Sequence, residues 1–144
     1  MAKRRSSGLA FVVAVDKPSG MTSHDVVNVC RRTFDERRVG HFGTLDPLAS
    51  GVLLVGVGPA ARLDAYLAEH DKSYVTRIVF GEERTTDDAE GEVVQSAAVP
   101  ACVADGKYAR SVLSGFTGKL SQVPPAFSAI KRDGVAAYTD RKSV

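Results

Sequence analysis

The sequence predicts a mixed α/β (α+β) fold in which helices flank a mixed sheet. Two continuous apolar runs, residues 9–15 and 51–57, have the length and the valine content of buried strands. Residues 22–34 instead repeat apolar side chains at helical spacing. Because strands and helices do not alternate strictly along the chain, a purely parallel sheet is not indicated. The chain has 144 residues, 44% of them hydrophobic, which suffices for one ordinary domain with a core.

The first predicted helix has a clear start signal. Turn residues 18–20 end the first strand, and Thr22 with Asp25 three residues later resembles a capping box, with Asp in place of the usual Glu. Cys30 falls on the apolar face of this helix, so we interpret it as a small buried hydrophobe. Basic residues gather toward the helix end, where they complement the helix dipole.

The remaining elements are predicted from the same periodicity and turn signals. In chain order they are a loop over residues 39–50, the strand 51–57, a helix from Pro59 to about Glu69, a strand over 73–80, an acidic turn over 81–91, a short strand around Val93, a helix over 108–113 and a strand over 126–131. Pro59 is placed at a helix start because proline is tolerated at the first helical position.

Composition excludes several classes of protein. No run approaches the 18 or more apolar residues of a membrane span, and residues 9–15 are too few for the apolar region of a signal peptide. We therefore expect a cytoplasmic protein without a membrane partner. The two cysteines and three histidines have no metal-ligand spacing, so we expect neither a structural metal nor a disulfide framework.

Charge is distributed unevenly along the chain. Residues 1–45 hold eight Lys or Arg against four acidic residues, whereas six acidic residues lie between positions 82 and 92. A basic first part suits binding to a polyanion, but a solvated helix face gives the same pattern at least as often. Charge alone therefore does not choose between these two interpretations.

One short motif points to a dinucleotide-binding domain. Residues 56–61 match the G-x-G-x-x-A fingerprint, in which Gly56 and Gly58 would let the backbone approach a pyrophosphate closely. Against this, Pro59 removes one donor from the phosphate cradle, and Glu82 lies 26 residues beyond Gly56 rather than about 20. The fingerprint also leaves the preceding loop unexplained, so it is kept only as an alternative.

The loop over residues 41–51 holds the groups best suited to chemistry. Asp46 precedes a proline, which biases it toward extended backbone, and Leu45 and Leu48 are predicted to anchor the loop while the carboxylate points outward. A lone Asp-Pro pair is by itself most often an ordinary turn. The loop also supplies a ring, a hydroxyl and a glycine that permits close approach of a ligand, at His41, Thr44 and Gly43.

Several segments of the chain match those of one known family. Three follow one another in the family's order and spacing, residues 15–23, 39–53 and 71–74, and two more are similar, residues 85–91 and 122–131. Together they resemble the bacterial tRNA pseudouridine synthase B (TruB) family over about residues 11–138. Within this frame the Gly-Thr-Leu-Asp-Pro block at residues 43–47 is highly specific.

The resemblance implies a largely antiparallel sheet and a reaction that needs neither metal nor cofactor. The enzyme would cut the C1′–N1 bond of uridine 55 in the T loop of tRNA, turn the base and rejoin it through carbon. In the family, the Asp of Gly-x-Leu-Asp-Pro acts at the sugar as a nucleophile or as a base, and this role falls on Asp46. Because the uridine lies inside a folded loop, it must first be flipped out.

Further residues receive roles from the same resemblance. His41 is implied to contact the T loop near the position that the flipped uridine leaves. Tyr74 is implied to pack against the flipped base rather than to fill a core. Gly43 and Thr44 complete the predicted substrate-binding set. The candidates for contact with the RNA backbone, each equally open to a structural role, are Lys17, Arg31, Arg32, Arg37 and Arg38.

The resemblance also predicts the domain organisation. Residues 1–10 form a basic tail, and residues 11–144 are the N-terminal part of a catalytic domain. The similarity fades after Tyr138, so we expect a truncated chain in which the RNA-binding domain and the basic partner of Asp46 are missing. The full-length enzyme is expected to be a monomer. Because an aspartate without a cationic partner is a poor catalyst, a non-catalytic module that binds the tRNA T arm stays open.

Overall fold

A computed structural model describes residues 8–67 and 70–121, together with two short strands at residues 131–132 and 135–136. The chain divides into two compact units, one ending at Tyr74 and the other beginning at Val75. Helices accompany the sheets, and every strand pair in the described residues is antiparallel. The predicted α/β class with a largely antiparallel sheet is therefore confirmed.

The first unit is built on a three-stranded sheet in the order β1-β3-β2. Its elements are β1 (Phe11–Lys17), α1 (Ser23–Thr33), β2 (Val39–His41), β3 (Gly51–Val57), a 3-10 helix (Gly58–Leu63) and α2 (Asp64–Leu67). β1 pairs with β3 along its whole length, so Lys17 lies opposite Gly51, while His41 of β2 lies opposite Val55. The C-terminal end of β1 and the N-terminal end of β3 therefore lie side by side at one end of the sheet, where residues 42–50 lead into β3.

The core of this unit forms where α1 packs on the sheet. Its buried side chains are Val26, Val27, Cys30, Val39, Leu53, Val55 and Val57. Full burial of an aliphatic side chain contributes roughly 1.5–3 kcal/mol, so packing of the apolar face of α1 stabilises helix and sheet together. Burial also raises the pKa of the Cys30 thiol, in keeping with its prediction as a buried hydrophobe.

α1 begins with the capping box that the sequence predicts. The Thr22 hydroxyl oxygen accepts a hydrogen bond from the Asp25 backbone N–H at 3.1 Å, and the Asp25 carboxylate accepts one from the Thr22 backbone N–H at 2.9 Å. The Thr22 hydroxyl also donates to this carboxylate at 2.6 Å. These hydrogen bonds from Thr22 stabilise the ionised form and lower the pKa of Asp25.

The second unit contains small elements only. They are β4 (Glu82–Arg84), β5 (Val93–Ser96), a 3-10 helix (Ala101–Ala104), α3 (Gly106–Leu113), a second 3-10 helix (Ser114–Phe116), β6 (Lys131–Arg132) and β7 (Val135–Ala136). β4 and β5 form a hairpin, which confirms the strand predicted around Val93. Asp105 caps α3 by accepting a hydrogen bond from the Lys107 backbone N–H at 2.9 Å, so the predicted helix is confirmed and starts two residues earlier.

Other predicted elements differ from the structure. The first strand begins and ends two residues later than predicted, and residues 39–41 form β2 rather than the start of a loop. The helix predicted from Pro59 is a 3-10 helix followed by one α-helical turn. Residues 82–84 form β4 inside the predicted acidic turn. The bounds of β1, β2 and β4 follow from pairing with other strands, which local propensity does not encode.

The strand predicted over residues 73–80 is wrong. These residues are irregular and exposed, and no strand in the described part of the chain pairs with them. A strand is stable only with a pairing partner, which apolar periodicity cannot reveal. The strand predicted over residues 126–131 lies outside the described residues except at its last position, and so do residues 1–7 of the basic tail. No helix among the described residues has the length and hydropathy needed to cross a membrane.

Two opposed glycines of the sheet have different surroundings. Gly40 of β2 faces Gly56 of β3. A Cβ atom at Gly56 would lie 2.5 Å from Cζ of Phe42 and 2.8 Å from the carbonyl oxygen of Ala60, whereas one at Gly40 would make an ordinary 3.8 Å contact with Cβ of Ala61. Glycine is therefore required at Gly56 by the ring that covers it.

We expect Gly56→Ala to lower the free energy of unfolding by about 1–3 kcal/mol, because the ring and the carbonyl would have to shift. Gly40→Ala is the matched control across the same ladder and should change stability by no more than about 0.5 kcal/mol. Urea denaturation followed by circular dichroism measures both variants. Equal effects of the two substitutions would contradict the packing role of Gly56.

The capping box makes stability depend on pH in the acid range. Because folding lowers the pKa of Asp25, the stability that its carboxylate contributes is complete above its ordinary value of 3.8 and is lost as pH falls through the lowered value. We expect Asp25→Asn to lose less stability below about pH 4 than the unaltered chain loses. Denaturation curves across that range provide the measurement, and parallel declines would refute the prediction.

Candidate active site

The loop over residues 42–50 is anchored to the sheet and core at its start. The Phe42 side chain is buried, and its backbone N–H donates to the Leu54 carbonyl at 2.9 Å. The Leu45 side chain packs against the core, which confirms it as an anchor. The same prediction is wrong for Leu48, because its side chain is 46% exposed. Its carbonyl is held instead, by a hydrogen bond from the Ser19 hydroxyl at 3.0 Å.

Asp46 lies between held backbone groups, with its side chain exposed. Its carbonyl accepts a hydrogen bond from the Ala49 N–H at 3.0 Å, which closes a turn around Pro47. Among the described residues, no hydrogen bond or salt bridge involves the Asp46 carboxylate. The loop therefore presents this carboxylate while its backbone is fixed.

Lys17 is fully buried at the end of β1. Its ammonium donates to the carbonyl oxygens of Met21 at 2.7 Å, Pro18 at 3.1 Å and Pro47 at 3.4 Å. An ammonium has three donors, so each has a carbonyl partner. Of the two roles left open for Lys17, this geometry supports the structural one over contact with RNA phosphate.

Further tethers of the loop come from the same short segment, residues 17–23. The Gly20 N–H donates to the Pro47 carbonyl at 2.7 Å. The Ser23 hydroxyl donates to the Leu45 carbonyl and accepts from the Leu45 N–H, both at 3.0 Å. Sequence reasoning did not nominate Ser23, and its only signal was membership of the family-like segment 15–23.

The predicted substrate-binding residues fall in two places. His41, Gly43 and Thr44 lie just before Asp46 in the chain, and the His41 ring is oriented by a hydrogen bond from Nδ1 to the Gly43 carbonyl. A carbonyl can only accept, so in the neutral ring Nε2 is left as an acceptor. Tyr74 is 65% exposed. Lys72, two residues before Tyr74 in the chain, lies close to the loop: its Cε is 3.6 Å from the position that a Cβ of Gly43 would occupy.

The four candidate arginines differ in their surroundings. Arg31 is held by Asn28 at 3.0 Å and by the Val39 carbonyl at 3.2 Å, and its Nε is buried without a partner among the described residues. Arg38 pairs with the buried Glu36 carboxylate at 3.3 Å. Arg32, Arg37 and Arg38 are all exposed. Because Arg38 is paired with Glu36, Arg32 and Arg37 are best placed to meet a polyanion.

The space beside the two glycines of the dinucleotide-like motif is filled by other atoms of the protein. The Phe42 ring and the Ala60 carbonyl cover Gly56. Gly58 has φ +64°, and the Leu9 carbonyl lies where a Cβ atom would be. A pyrophosphate needs these backbone faces open and an α-helix behind them, whereas a 3-10 helix follows here. The geometry therefore disfavours the dinucleotide alternative. No cluster of metal-ligating side chains occurs among the described residues.

Comparison with known proteins gives the family. Residues 31–143 match the model of the TruB family pseudouridylate synthase (N terminal domain), which is more than half of the chain. The chain belongs to the TruB family. It is 49% identical over 129 residues to tRNA pseudouridine synthase B of Mycobacteroides abscessus, covering 90% of this chain and 43% of that protein.

Two further TruB relatives agree with this assignment. The Thermobifida fusca tRNA pseudouridine synthase B is 52% identical over 127 residues, and the Rhodospirillum rubrum protein of the same name is 44% identical over 136 residues. The matches cover 88% and 94% of this chain, and 43% of each relative. The chain thus spans less than half the length of these curated relatives.

Removal of the buried ammonium should destabilise the first unit. We expect Lys17→Met to lower the free energy of unfolding by at least about 2 kcal/mol, because the carbonyls of Met21, Pro18 and Pro47 lose their common donor. Arg32→Met removes a cation at an exposed site and should cost no more than about 0.5 kcal/mol. Thermal and urea denaturation compare the two, and a Lys17→Met chain as stable as the control would contradict the structural role.

Proposed function

We propose that this chain is part of a tRNA pseudouridine synthase that converts uridine 55 of the T loop to pseudouridine, with Asp46 as the catalytic carboxylate. Residues 11–144 would be the N-terminal part of its catalytic domain and residues 1–10 a basic tail. A cytoplasmic location and a monomeric full-length enzyme belong to the same proposal. The observation that carries it is the exposed Asp46 carboxylate on a loop whose backbone is tied on both sides.

The chemistry fits a single carboxylate. The C1′–N1 glycosidic bond breaks, a C1′–C5 bond forms, and the hydrogen lost from C5 is balanced by a proton gained at N1. The net reaction is an isomerisation that consumes no other reagent. Asp46 would act at the sugar, either as a nucleophile or as a base, and both roles need an accessible carboxylate on a rigid support.

Recognition of the RNA is assigned to the other predicted site residues. Flipping the uridine costs a few kcal/mol, and stacking of aromatic rings on bases offsets about 1–3 kcal/mol per base. The oriented ring of His41 and the exposed ring of Tyr74 suit this task. Gly43 and Thr44 would border the uridine, and the exposed cations of Arg32 and Arg37 would meet phosphates.

We expect Asp46→Asn to lower the rate of pseudouridine formation at least about 100-fold. The folded chain is incubated with an unmodified T-arm stem-loop RNA, and pseudouridine is mapped by carbodiimide labelling and primer extension. Asp64→Asn, which neutralises an exposed carboxylate at the start of α2, should leave the rate unchanged. A stop at the T-loop uridine that only Asp46→Asn abolishes would support the synthase.

Two other outcomes would count against the proposal. Absence of a stop with the folded, unaltered chain would contradict a self-sufficient enzyme. If that chain and Asp46→Asn then bound the stem-loop equally well, the non-catalytic T-arm-binding module would be the better description. A stop that Asp46→Asn retains would move the catalytic role to another residue.

A further inference from the structure

We propose that Ser23 is a positioning residue for Asp46, because it clamps both backbone polar groups of Leu45, the residue directly before it. The inference rests on the proposed catalytic function of Asp46. Nothing in it requires Ser23 to touch the RNA, since its hydroxyl faces the loop backbone.

The clamp uses one buried hydroxyl both as a donor and as an acceptor. Ser23 is 4% exposed, and its oxygen lies 3.0 Å from both the carbonyl oxygen and the amide nitrogen of Leu45. A serine hydroxyl has one donor hydrogen, which goes to the carbonyl, and a lone pair that accepts the N–H. Both polar groups of one peptide residue are therefore fixed by a single side chain.

The support behind the clamp is rigid. Ser23 is the first residue of α1, directly after the N-cap Thr22. The capping box closes this end of the helix, and Val26 and Val27 bury its first two turns in the core. The Leu45 side chain packs against the same core. Helix and loop are thus joined by a hydrogen-bonded pair and by apolar packing at one point.

Asp46 follows this point without an intervening residue. Consecutive Cα atoms are about 3.8 Å apart, so a shift of Leu45 is passed almost fully to the carboxylate. Displacement of a catalytic group by about 1 Å can lower a rate about 100-fold. The position of Leu45 therefore controls the distance between the carboxylate and the sugar of a bound uridine.

The other tethers of the loop cannot replace Ser23. Lys17 and Gly20 hold the carbonyl of Pro47, on the far side of Asp46. The hydrogen bond from Ser19 to Leu48 is exposed, so water can substitute for that hydroxyl. On the near side, Leu45 depends on Ser23 for its polar contacts, and burial of Ser23 keeps water from taking its place.

The test compares Ser23→Ala, which removes the hydroxyl, with Ser23→Thr, which retains it. Ser111→Ala, an exposed serine of α3, controls for a serine-to-alanine change elsewhere. Single-turnover rates are measured with the T-arm stem-loop at a range of RNA concentrations. We expect Ser23→Ala to lower the saturating rate about 10–100-fold while half-saturation moves by less than about twofold, and Ser23→Thr to restore most of the rate.

A second readout does not depend on turnover. Amide hydrogen exchange at Leu45 should be at least about tenfold faster in Ser23→Ala, whereas exchange at Val55 in the sheet should be unchanged. If the unaltered chain shows no turnover, it is not a self-sufficient enzyme, and unchanged exchange at Leu45 would still overturn the clamp separately. An unchanged saturating rate in an active chain, or a loss confined to half-saturation, would also overturn the positioning role.

Discussion

The ammonium of Lys17 lies at the end of β1, withdrawn from water and surrounded by carbonyl oxygens. A buried cation costs several kcal/mol unless its donors are satisfied. Its partners must therefore stay where they are, and they belong to the turn at Pro18 and Met21 and to the loop at Pro47. The geometry of the Asp46 loop, the entry into α1 and the end of the sheet all depend on this one charge.

This dependence explains why two family-like segments occur together. Residues 15–23 provide donors from side chains and backbone, and residues 39–53 provide most of the acceptors. Without the second segment, the Lys17 ammonium would keep the carbonyls of Pro18 and Met21 but would lose that of Pro47. The contact between them leaves the Asp46 carboxylate exposed. The backbone of the loop is thus held by hydrogen bonds, while the Asp46 side chain faces the solvent.

Local signals predicted local structure well. The strand Gly51–Val57 and the capping box at Thr22 were evident because their determinants lie within a few residues. Partners distant in the chain were not evident: Ser23 bonds a residue 22 positions away, and one of the three carbonyls around Lys17 lies 30 positions away. Periodicity equally could not show that no strand within the described part of the chain pairs with residues 73–80, or that Leu48 is bound through its carbonyl rather than through its side chain.

The contacts that fix the backbone around Asp46 have a consequence for the order in which the chain can fold during synthesis. They all lie between Phe11, where β1 starts, and Val57, its partner at the end of β3. Chains emerge from the ribosome N-terminus first, at about 5–20 residues per second, and can fold as they emerge. The loop can therefore adopt its final geometry once Val57 has emerged, before residues 71–80 leave the ribosome. The loop that carries Asp46 is thus able to fold early in synthesis, and the exposed segment with Tyr74 follows later.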